Sequence, residues 1–386
     1  MSKPSTRKLV IAQIIPSLES GGVERGVIDL AIYLKRHNHQ PIIITSGGRM
    51  INQLKENNIK YIILNVKSKN PVNIITNIIK LKQIIKYNKI DILHIRSRAP
   101  MISAFYASKI QKIKLVSTIH GTYSINIFKR LYNSYMLKTK YVIMVSSFIK
   151  NYVRSNYPKY FNKLNYNNSQ IINRGVDINY FNIDNIDKIR INNIIDQWQI
   201  ANLETKLIFV PARFTSWKGH EFLIDALNNI NKNFLCIMAG SSHGHDQYLT
   251  RLKNKVNNLE LSSKIKFVDN CSDMPAAYAI CDFVIAPSIK AEAFGRIPIE
   301  AQSCQKPIIA SNIGGYLETI IDNKTGFIFD NNNINDLTLK ITNLLNMPNS
   351  QLEFIGKAGR DNVVNNFSND IMLKKTLNIY LSLTTL

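Results

Sequence analysis

Short apolar runs separated by amphipathic stretches recur along the whole chain. In the first half they fall at Leu9–Ile15, Pro41–Thr45, Tyr61–Val66, Asp91–Ile95, Lys114–Ile119, Tyr141–Val145 and Gln170–Ile172. The second half restarts the rhythm at Lys206–Pro211, Phe234–Ala239, Lys264–Val268, Phe283–Ala286, Pro307–Ala310 and Gly326–Phe329. Stretches of helical period, such as Val23–Lys35 and Val72–Lys86, lie between them. Runs this short and continuous read as strands buried on both faces, and their alternation with helices predicts parallel sheets. The rhythm lapses between Asn182 and Thr205, which places a domain boundary near residue 185. A second lapse, Asn156–Ser169, predicts a loop or insertion inside the first domain, and everything from Asn349 onward is helical in pattern. Two domains also suit a length of 386 residues. The apolar start at Leu9 is too short and too interrupted for a signal peptide, and no run reaches the length of a membrane-spanning helix.

Doubly wound sheets bind ligands at the C-terminal ends of their strands, and the chemically unusual residues fall there. Gly21 and Gly22 follow the first strand and precede a helix, where backbone amides and the helix dipole favour an anion, although the dinucleotide G-x-G-x-x-G fingerprint is absent. His120 and Gly121 follow another strand; His94 sits inside one and reads as structural, with Arg96 and Arg98 just beyond it. Arg213 and Lys218 bracket the loop of "PARFTSWKGHEF", two cations at a helix entrance suited to a pyrophosphate. The stretch "EAFGRIPIEAQ" supplies Glu292 and Glu300, with a helix expected to start near Gly295–Arg296 and to carry Glu300 on its second turn. The amides of Phe294, Gly295 and Arg296 would then face an anion, Glu300 would suit a ribose diol, and Glu292 would suit sugar hydroxyls. A glycosidase could use such a carboxylate pair, but it needs no basic pyrophosphate loop. His243, His245 and Asp246 suggest a solvated loop rather than a metal site, because no distant third ligand is indicated.

Charge changes the picture. The net charge of +23 is carried almost wholly by residues 1–185, with 29 basic and 7 acidic side chains against 20 and 19 thereafter. A basic half beside a neutral one predicts an anionic partner: a phospholipid surface, an anionic glycolipid or nucleic acid. Nucleic-acid recognition motifs are missing. Four cysteines without a C-x-x-C pair read as reduced core thiols.

Taken together, "SLESGGVERGVIDLA", "INRGVD", "PARFTSWKGHEFLIDAL" and "EAFGRIPIEAQSCQKPIIASNIGGYLETI" resemble the family-4, or group 1, retaining glycosyltransferases, over about residues 9–365. "HIRSRAP" with "EAFGR" is most similar to the branch that builds bacterial lipopolysaccharide core, which includes mannosyltransferases using GDP-mannose. The resemblance implies a GT-B fold: two doubly wound Rossmann-like domains facing across a cleft. It implies an acceptor-side domain over residues 1–185, a donor domain over 186–365, and a final helix over 366–386 crossing back to the first. It also implies transfer from a nucleoside-diphosphate sugar with no metal and no other cofactor, to a lipid-linked saccharide met at an anionic membrane surface. By position, Arg213 and Lys218 would hold the diphosphate, Glu300 the ribose and Glu292 the donor sugar. Phe294 and Gly295 would assist through their backbone, Gly22 would approach the phosphate and sugar from the first domain, and His120 would touch the donor sugar. A sugar-nucleotide epimerase, a phosphorylase and a non-catalytic sugar binder are the rival readings within the fold.

Overall fold

The computed structural model describes residues 7–384 apart from Ser20, residues 124–125 and 202–203, His243 and residue 270. Among the described residues there are thirteen strands: β1 Val10–Ile15, β2 Gln40–Thr45, β3 Lys60–Ile63, β4 Ile92–Ile95, β5 Lys114–Ile119, β6 Tyr141–Met144, β7 Ser169–Ile171, β8 Leu207–Pro211, β9 Leu235–Ala239, β10 Ile265–Val268, β11 Phe283–Ala286, β12 Ile308–Ser311 and β13 Phe327–Phe329. They form a seven-stranded sheet ordered β3-β2-β1-β4-β5-β6-β7 and a six-stranded sheet ordered β10-β9-β8-β11-β12-β13. All pairings within both sheets are parallel, as the unbroken apolar runs require.

The chain divides into two compact units. Unit 1 is residues 1–173 together with 370–386, and unit 2 is residues 174–369. The division comes twelve residues before the boundary expected near 185. Residues 174–185 belong to unit 2 because it satisfies their backbone. Val176 bridges Ser368, while Arg360 donates to the carbonyls of Ile178 (2.8 Å) and Phe181 (2.9 Å). The polar stretch after 182 is likewise not a bare linker. It holds the helix Lys188–Trp198, capped by Asp187 and anchored by buried Ile194 and Trp198. The expected loop at 156–169 contains a four-residue helix, Pro158–Phe161.

The final helix, Asn369–Thr384, packs in unit 1. Met372, Leu373, Leu377 and Tyr380 share a core with Leu9, Ile11, Leu30 and Ile143. The same helix partners buried His94. The Tyr380 hydroxyl lies 2.5 Å from Nδ1 of His94, and Thr118 Oγ1 lies 2.7 Å from Nε2. Unit 2 has its own core, built on Val210, Phe283, Ile285 and Ile309 with the faces of the flanking helices. Among the described residues no helix is long and apolar enough to cross a membrane.

Candidate functional site

In each sheet the strand order reverses direction between two neighbours, β1 and β4 in unit 1, β8 and β11 in unit 2. Loops leaving such a pair diverge and open a crevice at the strand ends. In unit 2 these are the loops that carry Arg213–Lys218 and Ser288–Arg296.

The two loops are stitched together closely. The amide of Ile289 donates to the carbonyl of Trp217 at 3.0 Å. Gly219 has φ of 78°, and a Cβ there would collide with the carbonyl oxygen of Pro287, so both its handedness and its contact demand glycine. A one-turn 3-10 helix, Ser216–Lys218, aims Lys218 across, and the helix His220–Asn228 follows. Lys218 Nζ donates to Glu292 Oε1, although the residues are 74 positions apart in the chain. Ser288 Oγ (3.3 Å) and the Tyr316 hydroxyl (3.2 Å) donate to the same oxygen. Three donors converge on Oε1, and Oε2 has no hydrogen-bond partner among the described residues. Glu292 is thus a fixed carboxylate with one oxygen to offer.

Gly295 has φ of 78°, and its missing side chain leaves room for the Tyr316 ring beneath it. Gly315 donates its amide to the carbonyl of Glu292 at 2.9 Å, so the Gly314-Gly315 turn holds the Glu292 loop from below. Phe294 is buried and packs 6.0 Å from the Phe367 ring, so only its backbone is offered to a ligand. The helix that follows runs Ile297–Ser303 with Arg296 as its cap, so Glu300 lies in its first turn rather than its second. Arg296 pairs with Glu300 at 3.1 Å and the buried Tyr278 hydroxyl reaches it at 3.4 Å. Burial raises the pKa of Glu300, with Arg296 opposing. Arg213 is solvent-exposed at the start of the loop that leaves β8.

A cavity of 860 Å³ opens beside the Lys218 loop, lined by Thr215, Ser216 and Trp217 on one side and His245, Tyr248 and Arg251 on the other. That is within the size range of small-molecule sites, about 300–1,000 Å³. Of the residues weighed for a metal, His243 lies outside the described residues. Asp246 accepts from Ser242 Oγ at 2.5 Å in the first turn of its helix. The described residues hold no cluster of three potential metal ligands.

Unit 1 presents its own strand-end residues. Gly21 has φ of 149° and caps the helix Gly22–Arg36. His120 follows β5 half-buried. Arg96, which follows β4, is only 5% exposed, has no ion-pair partner among the described residues, and has its pKa lowered by burial to about 10. Sequence reasoning missed Ser288, Tyr278 and Tyr316. Only the position of Tyr316 directly after Gly314-Gly315 marked it in the sequence.

Comparisons with known proteins agree with this geometry. The profile for glycosyltransferase family 4 matches residues 20–180, and that for glycosyl transferases group 1 matches residues 192–361. A crystal structure of a glycosyltransferase from Rickettsia africae is 40% identical, covering 98% of this chain and 99% of its own, with a TM-score of 0.90. An uncharacterised glycosyltransferase of Methanocaldococcus jannaschii is 28% identical over 80% of this chain and 81% of its own. Anabaena HepE, crystallised with UDP, shares the fold at 21% identity, covering 97% of this chain and 100% of its own, with a TM-score of 0.83. The chain belongs to the group 1 glycosyltransferases and has their GT-B fold.

Proposed function

We propose that this glycosyltransferase moves a hexose from a nucleoside-diphosphate sugar to an anionic, lipid-linked saccharide, with retention at the anomeric carbon and without a metal ion. The observation that carries the reading is the convergence of Lys218, Ser288 and Tyr316 on one oxygen of Glu292, in a loop that continues to Glu300. In this reading Arg213 and Lys218 hold the diphosphate as negative charge develops on the leaving oxygen, the form of stabilisation that contributes most in such sites. Glu292 accepts a donor-sugar hydroxyl through Oε2, and Glu300 accepts from the ribose. The backbone of Phe294–Arg296 borders the phosphates, Gly21 and Gly22 are assigned to the donor phosphate and sugar, and His120 to the donor sugar. The departing phosphate oxygen takes the acceptor's proton, so no enzyme nucleophile is needed.

Mannose from GDP-mannose, delivered to lipopolysaccharide core at the inner face of the cytoplasmic membrane, is the specific form we favour. Its support is the "HIRSRAP" likeness, the basic first unit, and a Mycolicibacterium smegmatis relative. That relative is named as a GDP-mannose-dependent phosphatidylinositol monomannoside mannosyltransferase and is 27% identical over 168 residues. UDP-sugar use is the second reading, because HepE was crystallised with UDP and with UDP-glucose. Calorimetric titration with GDP, UDP and ADP, each with and without EDTA, separates them. EDTA-insensitive binding of GDP alone is expected. UDP-selective binding would replace mannose, and binding of none would overturn the donor assignment.

A further inference from the structure

The apolar side chains that unit 1 leaves in solvent are not scattered. Of the eleven exposed large hydrophobic residues among its described residues, nine lie on three helices, Pro71–Tyr87, Met101–Gln111 and Ile127–Ser134. These helices are the successive crossovers β3 to β4, β4 to β5 and β5 to β6. All three step the same way along the sheet, so right-handed crossovers put them on one sheet face. The first packs along the second, and the second meets the turn Tyr135–Leu137 that continues the third. The helix Gly22–Arg36 steps the other way, shares a core with the final helix, and has no exposed large hydrophobic residue.

The pattern within each helix is amphipathic in an inverted sense, with apolar residues facing out. On Pro71–Tyr87, Val72 (69% exposed), Ile75 (61%) and Ile79 (55%) form a stripe at helical spacing that continues through Lys82 and Lys86. On Ile127–Ser134, Ile127 (80%), Phe128 (84%) and Leu131 (62%) project beside exposed Lys129 and Arg130. Contiguous apolar surface rarely persists unused.

The charge around it identifies the occupant. From residue 57 to residue 176 there are 21 Lys and Arg and a single acidic residue, Asp91. Asp91 is already held by Arg7 at 2.7 Å and by the amide of Val10 at 2.8 Å. A second copy of the chain would bring two strongly positive faces together, which repel. Nucleic acid would meet the cations but leave Ile127, Phe128 and Leu131 without a partner. An anionic bilayer answers both features, taking apolar side chains below its headgroups and cations against its phosphates.

We propose that the face formed by these three helices docks on anionic phospholipid, with Ile127, Phe128 and Leu131 inserting into the headgroup–acyl boundary and the surrounding lysines and arginines lying against lipid phosphate. This deepens the proposed function, since it would bring the enzyme to a lipid-linked acceptor, but its evidence is independent of the donor site. The test is co-sedimentation of the full chain with phosphatidylcholine vesicles with and without phosphatidylglycerol, for the wild type and for the triple variant Ile127→Ser, Phe128→Ser, Leu131→Ser. The three positions are exposed, so folding is expected to survive, and an unchanged circular-dichroism melt checks it. The wild type should pellet only with phosphatidylglycerol, and the variant should bind at least about tenfold more weakly. Equal binding by variant and wild type, or no preference for phosphatidylglycerol, would overturn the proposal. So would a wild-type dimer that the triple variant disperses without vesicles, which would assign the face to a second copy. Nucleoside-diphosphate binding measured on the same samples keeps the donor reading separate: it can fail while lipid binding stands, and the reverse.

Discussion

Unit 1 and unit 2 wind their sheets in the same sense, three strands outward and then back past the first, yet they handle charge in opposite ways. By the observed division, unit 1 has 30 basic and 6 acidic residues, and unit 2 has 19 and 20. Unit 2 pairs its semi-buried charges: Lys218 with Glu292, Arg296 with Glu300, and Arg190 with Asp273 through two contacts of 2.7 Å. In unit 1 Arg96 is buried with no ion-pair partner among the described residues, and most other cations lie on the surface. The same architecture thus carries two electrostatic patterns. Paired charges can hold a polar site rigid before a ligand arrives, whereas an excess of positive charge creates a field of the kind that would attract the anionic partner proposed above.

The largest expected effect comes from breaking the central pair of unit 2. Lys218→Ala should lower donor turnover by about 10²–10³-fold, corresponding to about 3–4 kcal/mol of lost transition-state stabilisation. The readout is release of nucleoside diphosphate. Tyr316 and Ser288 still hold Glu292 in the variant, so the loop should keep its place and a melt should show a folded protein. Turnover within a few-fold of wild type would remove Lys218 from the chemistry.

Acid should act on unit 2 through His220. Its ring is fully buried 5.1 Å from the Phe214 ring, and burial lowers its pKa to about 4 from an ordinary 6.5. The unfolded state therefore binds a proton that the folded state refuses. The contribution of a neutral His220 is complete above pH 6.5 and is lost as pH falls from 6.5 towards 4, about 3 kcal/mol in all. His220→Gln cannot titrate, so its stability, measured by urea unfolding of unit 2, should fall less over that window. Parallel pH profiles for wild type and variant would show that acid acts elsewhere.

Much of this was legible in the sequence because it is local. Each expected apolar run overlaps a strand, since unbroken Ile, Val and Phe segments have few alternatives to a buried parallel sheet. Lys218 and Glu292 were found separately, as strand-end residues; their contact follows because β8 and β11 are neighbours in the sheet. The details that escaped depend on distant partners. The units divide before residue 185 because Arg360 holds the carbonyl of Ile178 across 182 positions, a contact with no local signal. The helix Lys188–Trp198 was hidden by its Asn and Asp content, although Ile191, Ile194 and Trp198 keep its apolar period. Tyr278 and Tyr316 look like ordinary core aromatics until their hydroxyls are seen to reach Glu300 and Glu292.

The smallest expected effect has the opposite sign to an ordinary core mutation and tests the contrast most directly. Arg96 is buried without a carboxylate partner among the described residues, so its charge is a cost to unit 1 rather than half of a pair. A side chain of similar size and no charge removes that cost, and even replacing a buried ion pair by packed apolar groups can stabilise by about 1–4 kcal/mol. Arg96→Met should therefore raise the stability of unit 1 by about 2 kcal/mol, read as a higher urea midpoint with an unchanged slope. Lys218→Met in unit 2 should lower stability, because it leaves Glu292 partly buried without its cation. If Arg96→Met destabilises as much as Lys218→Met, unit 1 compensates its buried cation after all, and the electrostatic contrast between the units fails at its most buried point.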